Sequence, residues 1–304
     1  MKPNAPLEFV YKGAEPTRAD LAIATEFPNS SRAKITLLFE RRDVVINGKT
    51  AQKGDTVLPG SCVTLKSIPA SLEDLKPIPN PTLSINVLFE DDSLVVLNKP
   101  AGYHCHPMQP GEDNTLANFL AASFPSCQGT SDDIRECGLV HRLDRDTTGV
   151  VIAAKTSKTW KDIRNSFKNA HIDKHYLALV SGQVGTGSST EPISQAGAKA
   201  KLDHQGLPAS TSWEPIETFS GHTLLRCQSR TGRRHQIRIH LANADHPIVG
   251  DPLYGGASLE HPATQGQFLH AESISFPHPT TNAPFQVEAP LSKHQADLLE
   301  FLRR

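Results

Sequence analysis

The stretch His141-Arg142-Leu143-Asp144-Arg145-Asp146-Thr147-Thr148-Gly149-Val150-Val151-Ile152-Ala153-Ala154 joins a charged turn to an unbroken apolar run. Such a run, bounded by a turn and rich in β-branched residues, predicts a strand buried on both faces. The turn carries a histidine, arginines and aspartates, and it opens directly into that strand. Loops at the ends of rigid strands are common sites for reactive groups. An aspartate beside arginines stays ionised, because nearby positive charge favours the carboxylate. The plainer reading is a turn in which Asp144 or Asp146 bonds backbone amides. The residues alone leave both readings open.

Outward from this stretch, the pattern predicts an α+β fold with a mixed, largely antiparallel central sheet and flanking helices. Ile85–Phe89 and Leu94–Leu97 read as strands joined at Asp91-Asp92-Ser93. Leu116, Phe119 and Leu120 have helical spacing behind Thr115, and Ser157 is placed to cap a helix facing Trp160, Ile163 and Phe167. Tyr176–Val180 and Thr223–Cys227 read as further strands. A Pro-rich stretch, residues 68–83, reads as a linker, because proline removes donors and restricts its neighbour. It separates a small α+β unit, residues 15–67, from a large one, residues 84–304. In the small unit Thr17 or Asp20 caps a short helix and Ser30-Ser31 a second. Val44–Ile46 is a strand, Asn47-Gly48 signals a hairpin, and Val63–Leu65 closes the unit.

The chain has 304 residues, with 31 Lys plus Arg against 32 Asp plus Glu. A nucleic-acid face must therefore come from local clustering of basic residues. One cluster answers this: Arg226, Arg230, Arg233, Arg234, His235, Arg238 and His240, with no acidic residue between its ends. Thr231-Gly232 within it is expected to precede a helix, whose first amides suit phosphate oxygens as the arginines do. A solvated helix face is the bland alternative. Lys174-His175-Tyr176 offers an aromatic face for stacking on a base, or a core tyrosine. The five cysteines are scattered and form no C-x-x-C pair, which fits reduced thiols in the cytoplasm. No signal sequence or membrane span is expected, and a monomer is the default expectation. His104, Cys105, His106 and His141, with Cys137, are candidate metal ligands for a hydrolase. Their spacing matches no zinc pattern, so no metal is expected.

Taken together, these segments resemble the RluA-type pseudouridine synthase family. His141 through Gly149 resembles its catalytic motif, with Thr148 where serine is usual. Asn98-Lys99-Pro100-Ala101-Gly102, ending at His106-Pro107, resembles its first motif, and Lys174-His175-Tyr176 its Lys-x-Tyr strand. Thr231 through His240 resembles the third, with Arg234 where threonine is common; His246-Pro247-Ile248-Val249-Gly250-Asp251 and Tyr254-Gly255 continue it. Leu269-His270-Ala271, His278-Pro279 and Ala289-Pro290-Leu291 resemble the family's C-terminal segment. Ser31-Arg32, Val45-Ile46-Asn47-Gly48 and Gly54-Asp55 resemble the ribosomal-protein-S-four type of RNA-binding domain.

The resemblance implies the pseudouridine synthase fold and cofactor-free isomerisation of uridine in RNA, ribosomal RNA being favoured over transfer RNA. It implies Asp144 as the catalytic carboxylate and Arg238 as its ion-pair partner. Arg142 would fill the space left by a flipped base, and Tyr176 would stack on that base. Arg230, Arg233, Arg234, Lys174 and, in the small unit, Arg32 would contact RNA. A non-catalytic RNA-binding protein on the same scaffold remains the alternative, though it would be expected to lose Asp144.

Overall fold

A computed structural model of the chain describes residues 6–28, 30, 32–67, 73–259 and 266–304. It divides into two units: residues up to Lys76 together with Met108–Glu112, and Pro77–Pro107 together with Asp113–Arg304.

The first unit contains β1 (Leu7–Val10), β2 (Thr17–Arg18), α1 (Ala19–Glu26), α2 (Arg32–Glu40), β3 (Val44–Ile46), β4 (Lys49–Thr50), β5 (Thr56–Val57) and β6 (Cys62–Leu65). A sheet in the order β1-β6-β3-β4 is larger than the expected hairpin, because β1 pairs along β6. Asn47 and Gly48 both have positive φ, 47° and 80°, as the tight β3–β4 turn demands. Neither Thr17 nor Asp20 caps α1. Arg18 occupies the cap without a side-chain bond to the helix, and its guanidinium pairs with Asp20 at 2.8 Å. Ser31, the expected cap of α2, lies outside the described residues. Ala22, Ile23, Ile35, Leu38, Val57, Val63 and Leu65 form the core of this unit.

The second unit contains β7 (Asn86–Glu90), β8 (Leu94–Lys99), α3 (Leu116–Ser123), β9 (Thr148–Ala154), α4 (Ser157–Lys168), β10 (Asp173–Ser181), β11 (Gly187–Ser189), β12 (Ile193–Ala196), β13 (Lys199–Leu202), β14 (Thr211–Phe219), β15 (His222–Ser229), α5 (Gln236–Asn243), β16 (Leu269–Pro277), β17 (Pro284–Glu288) and α6 (Lys293–Leu302). Its large sheet runs β11-β14-β15-β10-β16-β9-β8-β7, with β17 also on β16. Its described pairings are antiparallel except β9 with β16, which is parallel at Thr148–His270 and Gly149–Ala271.

Strand β9 is buried along its whole length because the sheet is covered on both faces. Val151 and Ala153 pack with Leu116 and Leu120 of α3. Val150, Ile152 and Ala154 pack with Trp160 and Ile163 of α4. Each fully buried Val or Ile contributes roughly 1.5–3 kcal/mol. Helix α3 begins as expected at Thr115, whose hydroxyl accepts from the Asn118 amide. Helix α4 is capped by Thr156 rather than Ser157, with Thr156 Oγ1 accepting from the Thr159 amide. The expected linker is not free along its length. Its last part is held within the second unit, where Asn118 Nδ2 donates to the Ile78 carbonyl at 2.8 Å. Residues 68–72 of that linker lie outside the described residues. No helix among the described residues is long and apolar enough to cross a membrane.

Candidate active site

The charged turn before β9 is held rigidly from one side by the segment after β8. Lys99 is fully buried, and its ammonium donates to the carbonyls of Pro100 at 2.9 Å, Arg145 at 2.6 Å and Thr147 at 2.9 Å. Burial pushes its pKa down to about 8, against the pull of Cys105, Asp146 and Asp144. The Gly102 amide donates to the Arg145 carbonyl at 3.0 Å, and Arg145 Nε returns a bond to the Gly102 carbonyl at 3.1 Å. The Leu143 amide donates to Cys105 Sγ at 3.3 Å. Asp144 is therefore carried by a turn whose backbone is fastened on both sides of it.

From the other side comes α5. Arg238, 4% exposed, donates from Nη1 to Asp144 Oδ2 at 2.8 Å. The same guanidinium is gripped behind by Asp251, with Nε to Oδ2 at 2.7 Å and Nη2 to Oδ1 at 2.8 Å. Asp251 is fully buried and also accepts from the Leu253 amide at 3.0 Å. Burial opposes the charge on Arg238, but the two carboxylates outweigh it and hold its pKa above the ordinary value. Such a two-point grip orients a guanidinium as one contact cannot. Asp144 keeps 25% of its side chain exposed, so the carboxylate is fixed yet reachable.

His235 completes the wall. It stands in the left-handed region, φ 56°, as the N-cap of α5. Its Nε2 lies 3.8 Å from Asp144 Oδ1. Burial lowers its pKa, while the carboxylate of Asp144 opposes the shift. Tyr176, on β10, is partly buried beside the site; burial first, then Asp144, raises its phenol pKa.

The predicted residues thus divide. Asp144, Arg238 and Tyr176 come together. Arg142 sits exposed in the same turn, Arg230 is exposed at the end of β15, and Arg32 is exposed at the start of α2. Arg233 is partly buried and donates to the Pro208 carbonyl at 2.9 Å. Arg234 spends its guanidinium inside the unit, on Gln195 Oε1 at 3.3 Å and the carbonyls of Gly197 at 3.0 Å and Ala198 at 2.7 Å. Lys174 is buried, with its ammonium on the Thr231 carbonyl at 3.1 Å and over the Phe167 ring at 5.6 Å. Arg234 and Lys174 are therefore fastened to the protein rather than extended into solvent.

Thr231-Gly232 precede α5 as expected, with a short loop between them and its first residue, Gln236. Gln236 itself knits that loop: Oε1 accepts from Thr231 Oγ1 at 2.7 Å and the Arg233 amide at 3.1 Å, and Nε2 donates to the Ser210 carbonyl at 2.9 Å. Among the described residues no group of His, Cys, Asp and Glu is arranged to hold a metal ion. His141 instead accepts from the Ile152 amide at Nε2, 3.1 Å, with its ring 4.9 Å from that of Phe167. Burial, with Lys174 and Arg164 nearby, pushes its pKa down to about 3.

The sequence placed His235 only in the basic cluster and gave Asp251, Tyr254 and Lys99 no role of their own. A signal existed for Asp251, since a lone acid after the apolar Ile248-Val249 needs a buried cation as partner.

Residues 93–243 match the sequence profile of the RNA pseudouridylate synthase family. Ribosomal large subunit pseudouridine synthase D of Xanthomonas campestris is 34% identical over 301 residues, covering 94% of this chain and 89% of that protein. Its namesake from Escherichia coli K12 is 33% identical over 302 residues, covering 94% and 90%. Among solved structures, human RNA pseudouridylate synthase domain containing 4 superposes with a TM-score of 0.58 at 21% identity, covering 72% of this chain and 93% of that one. Human RNA pseudouridylate synthase domain containing 1 gives 0.52 at 21% identity, covering 74% and 97%. These two likenesses establish the fold.

Proposed function

The chain belongs to the RNA pseudouridylate synthase family, and from that premise we propose that it isomerises uridines of large-subunit ribosomal RNA, with Asp144 as the catalytic carboxylate. The observation that carries the residue assignment is the grip on Asp144. One oxygen is fixed by an arginine that is itself fixed by a buried aspartate, while the carboxylate stays partly open to solvent.

The reaction breaks the glycosidic bond, turns the uracil and rejoins it through carbon five, so atoms balance without a co-substrate. It needs a carboxylate placed at the sugar, and the hydrogen bond from Arg238 to Oδ2 holds that of Asp144 in one orientation. Whether Asp144 attacks the sugar or removes a proton from it, the same fixed geometry serves. The uridine must leave the stack to reach Asp144. Arg142, exposed two residues before Asp144, fills the vacated space in this reading, and Tyr176 stacks on the flipped base. Arg230 and Arg233 bind phosphates, which makes affinity salt-dependent. The first unit serves as an RNA-binding domain with Arg32 on its contact face. The enzyme acts as a monomer in the cytoplasm; a dimer mass in light scattering would refute the first of these.

The test is a pseudouridine map of ribosomal and transfer RNA from cells with and without the gene. We expect loss at one or a few large-subunit uridines, restored by wild type and not by Asp144→Asn. Loss confined to transfer RNA would correct the substrate. Restoration by Asp144→Asn would remove the catalytic assignment.

A further inference from the structure

Tyr254 touches both groups that flank Asp144. Its ring lies 5.3 Å from the Cζ of Arg238, in cation–π range. Its hydroxyl is 2.9 Å from His235 Nδ1. The same oxygen accepts from the Ala200 amide at 2.8 Å and faces the Ala200 carbonyl at 3.2 Å. The phenol has one proton, and either His235 or the Ala200 carbonyl can take it. In both arrangements the imidazole is held with Nε2 toward Asp144 Oδ1. Ala200 belongs to β13, so the anchor is the β12–β13 hairpin. That hairpin is fastened a second time by Arg234, the residue next to His235.

We propose that Tyr254 is a positioning residue for Asp144, acting through the His235 ring and tied to the β12–β13 hairpin. The proposal rests on the reading of Asp144 as the catalytic carboxylate. Arg238 fixes Oδ2, and His235, held by Tyr254, sets the electrostatic wall at Oδ1. The hairpin thereby becomes part of the scaffold of the site, though it carries no group that reacts.

The experiment compares wild type, Tyr254→Phe, His235→Asn, the double variant and Asp144→Asn on unmodified, transcribed large-subunit ribosomal RNA. Phenylalanine keeps the ring over Arg238 and removes only the hydroxyl. Asparagine tolerates the left-handed backbone. We expect the single-turnover rate at saturating RNA to fall about 10-fold in Tyr254→Phe, with the Kd for RNA within about 2-fold of wild type. The double variant should be no slower than His235→Asn alone, because the two residues act in series. A wild-type rate in Tyr254→Phe, a loss carried by Kd, or multiplying effects in the double variant would each overturn the proposal. Should Tyr254→Phe fail to fold, His235→Asn carries the test by the same split between rate and Kd. An active Asp144→Asn would instead remove the reading beneath it, so the two failures are distinguishable.

Discussion

One guanidinium between two carboxylates is the decisive arrangement at the scale of single residues. Arg238 and Asp251 are both buried, and a buried charge is tolerated only when paired and hydrogen-bonded. Asp251 supplies two parallel acceptors, so it fixes the plane in which Nη1 reaches Asp144. Asp251→Asn would turn one acceptor into a donor facing a donor and leave the arginine a single carboxylate. We expect it to cost roughly 3 kcal/mol of stability, the scale for breaking a buried pair. Turnover at saturating RNA should fall on the order of 100-fold, as when a positioned electrostatic contact is lost. Urea unfolding and single-turnover kinetics check the two effects separately. Full activity in this variant would show that Arg238 needs no second carboxylate. His141 teaches the converse lesson. As one of the candidate metal ligands it drew attention in the sequence, but its Nε2 accepts from the Ile152 amide, and burial first, then Lys174 and Arg164, push its pKa down.

Among elements, β9 matters most because it exits the turn that carries Asp144. Its start depends on Gly149, where φ is +110° and a Cβ would overlap the Ala271 carbonyl of β16. Gly149→Ala must open the one parallel pairing described for this sheet or strain the turn. We expect a loss of about 3 kcal/mol in an unfolding titration and a matching fall in activity. An unchanged midpoint would mean that β16 can shift at no cost. The legibility of the elements follows from how local their causes are. Strand β9 and helix α3 were readable because an unbroken apolar run and a Thr115 cap lie within the elements themselves. Strand β14 was missed: Pro215 interrupts it, and its register slips beside that proline. Strand β16 was missed because its partners β9 and β10 are far off in sequence, so pairing rather than propensity makes it a strand. Helix α6 was also missed, although its Ser292–Gln295 capping box is a local signal. A helix after Thr231-Gly232 was expected, and α5 follows them, its first residue set by His235 with positive φ at the cap. The Asp144–Arg238 pair came from resemblance; nothing in the spacing of residues 144 and 238 announces it.

For the whole molecule, the two units divide the labour in the proposed function. The chain is nearly neutral overall, so affinity must be gathered from separate basic surfaces. Removing residues 1–70 is expected to weaken RNA binding about 10-fold or more while the rate at saturating RNA stays within a few-fold, as linked binding modules behave. Filter binding and single-turnover assays measure these, and undiminished affinity would give the small unit another role. The hydrogen bond between Thr148 and His270, 2.7 Å long, spans 122 positions of sequence. It fastens the strand that follows the turn to a strand made much later. During synthesis Thr148 therefore emerges long before the histidine that fastens it. A ribosome making this chain must therefore deliver β16 before β9 has its parallel neighbour, and a chain cut short before β16 would lack that pairing.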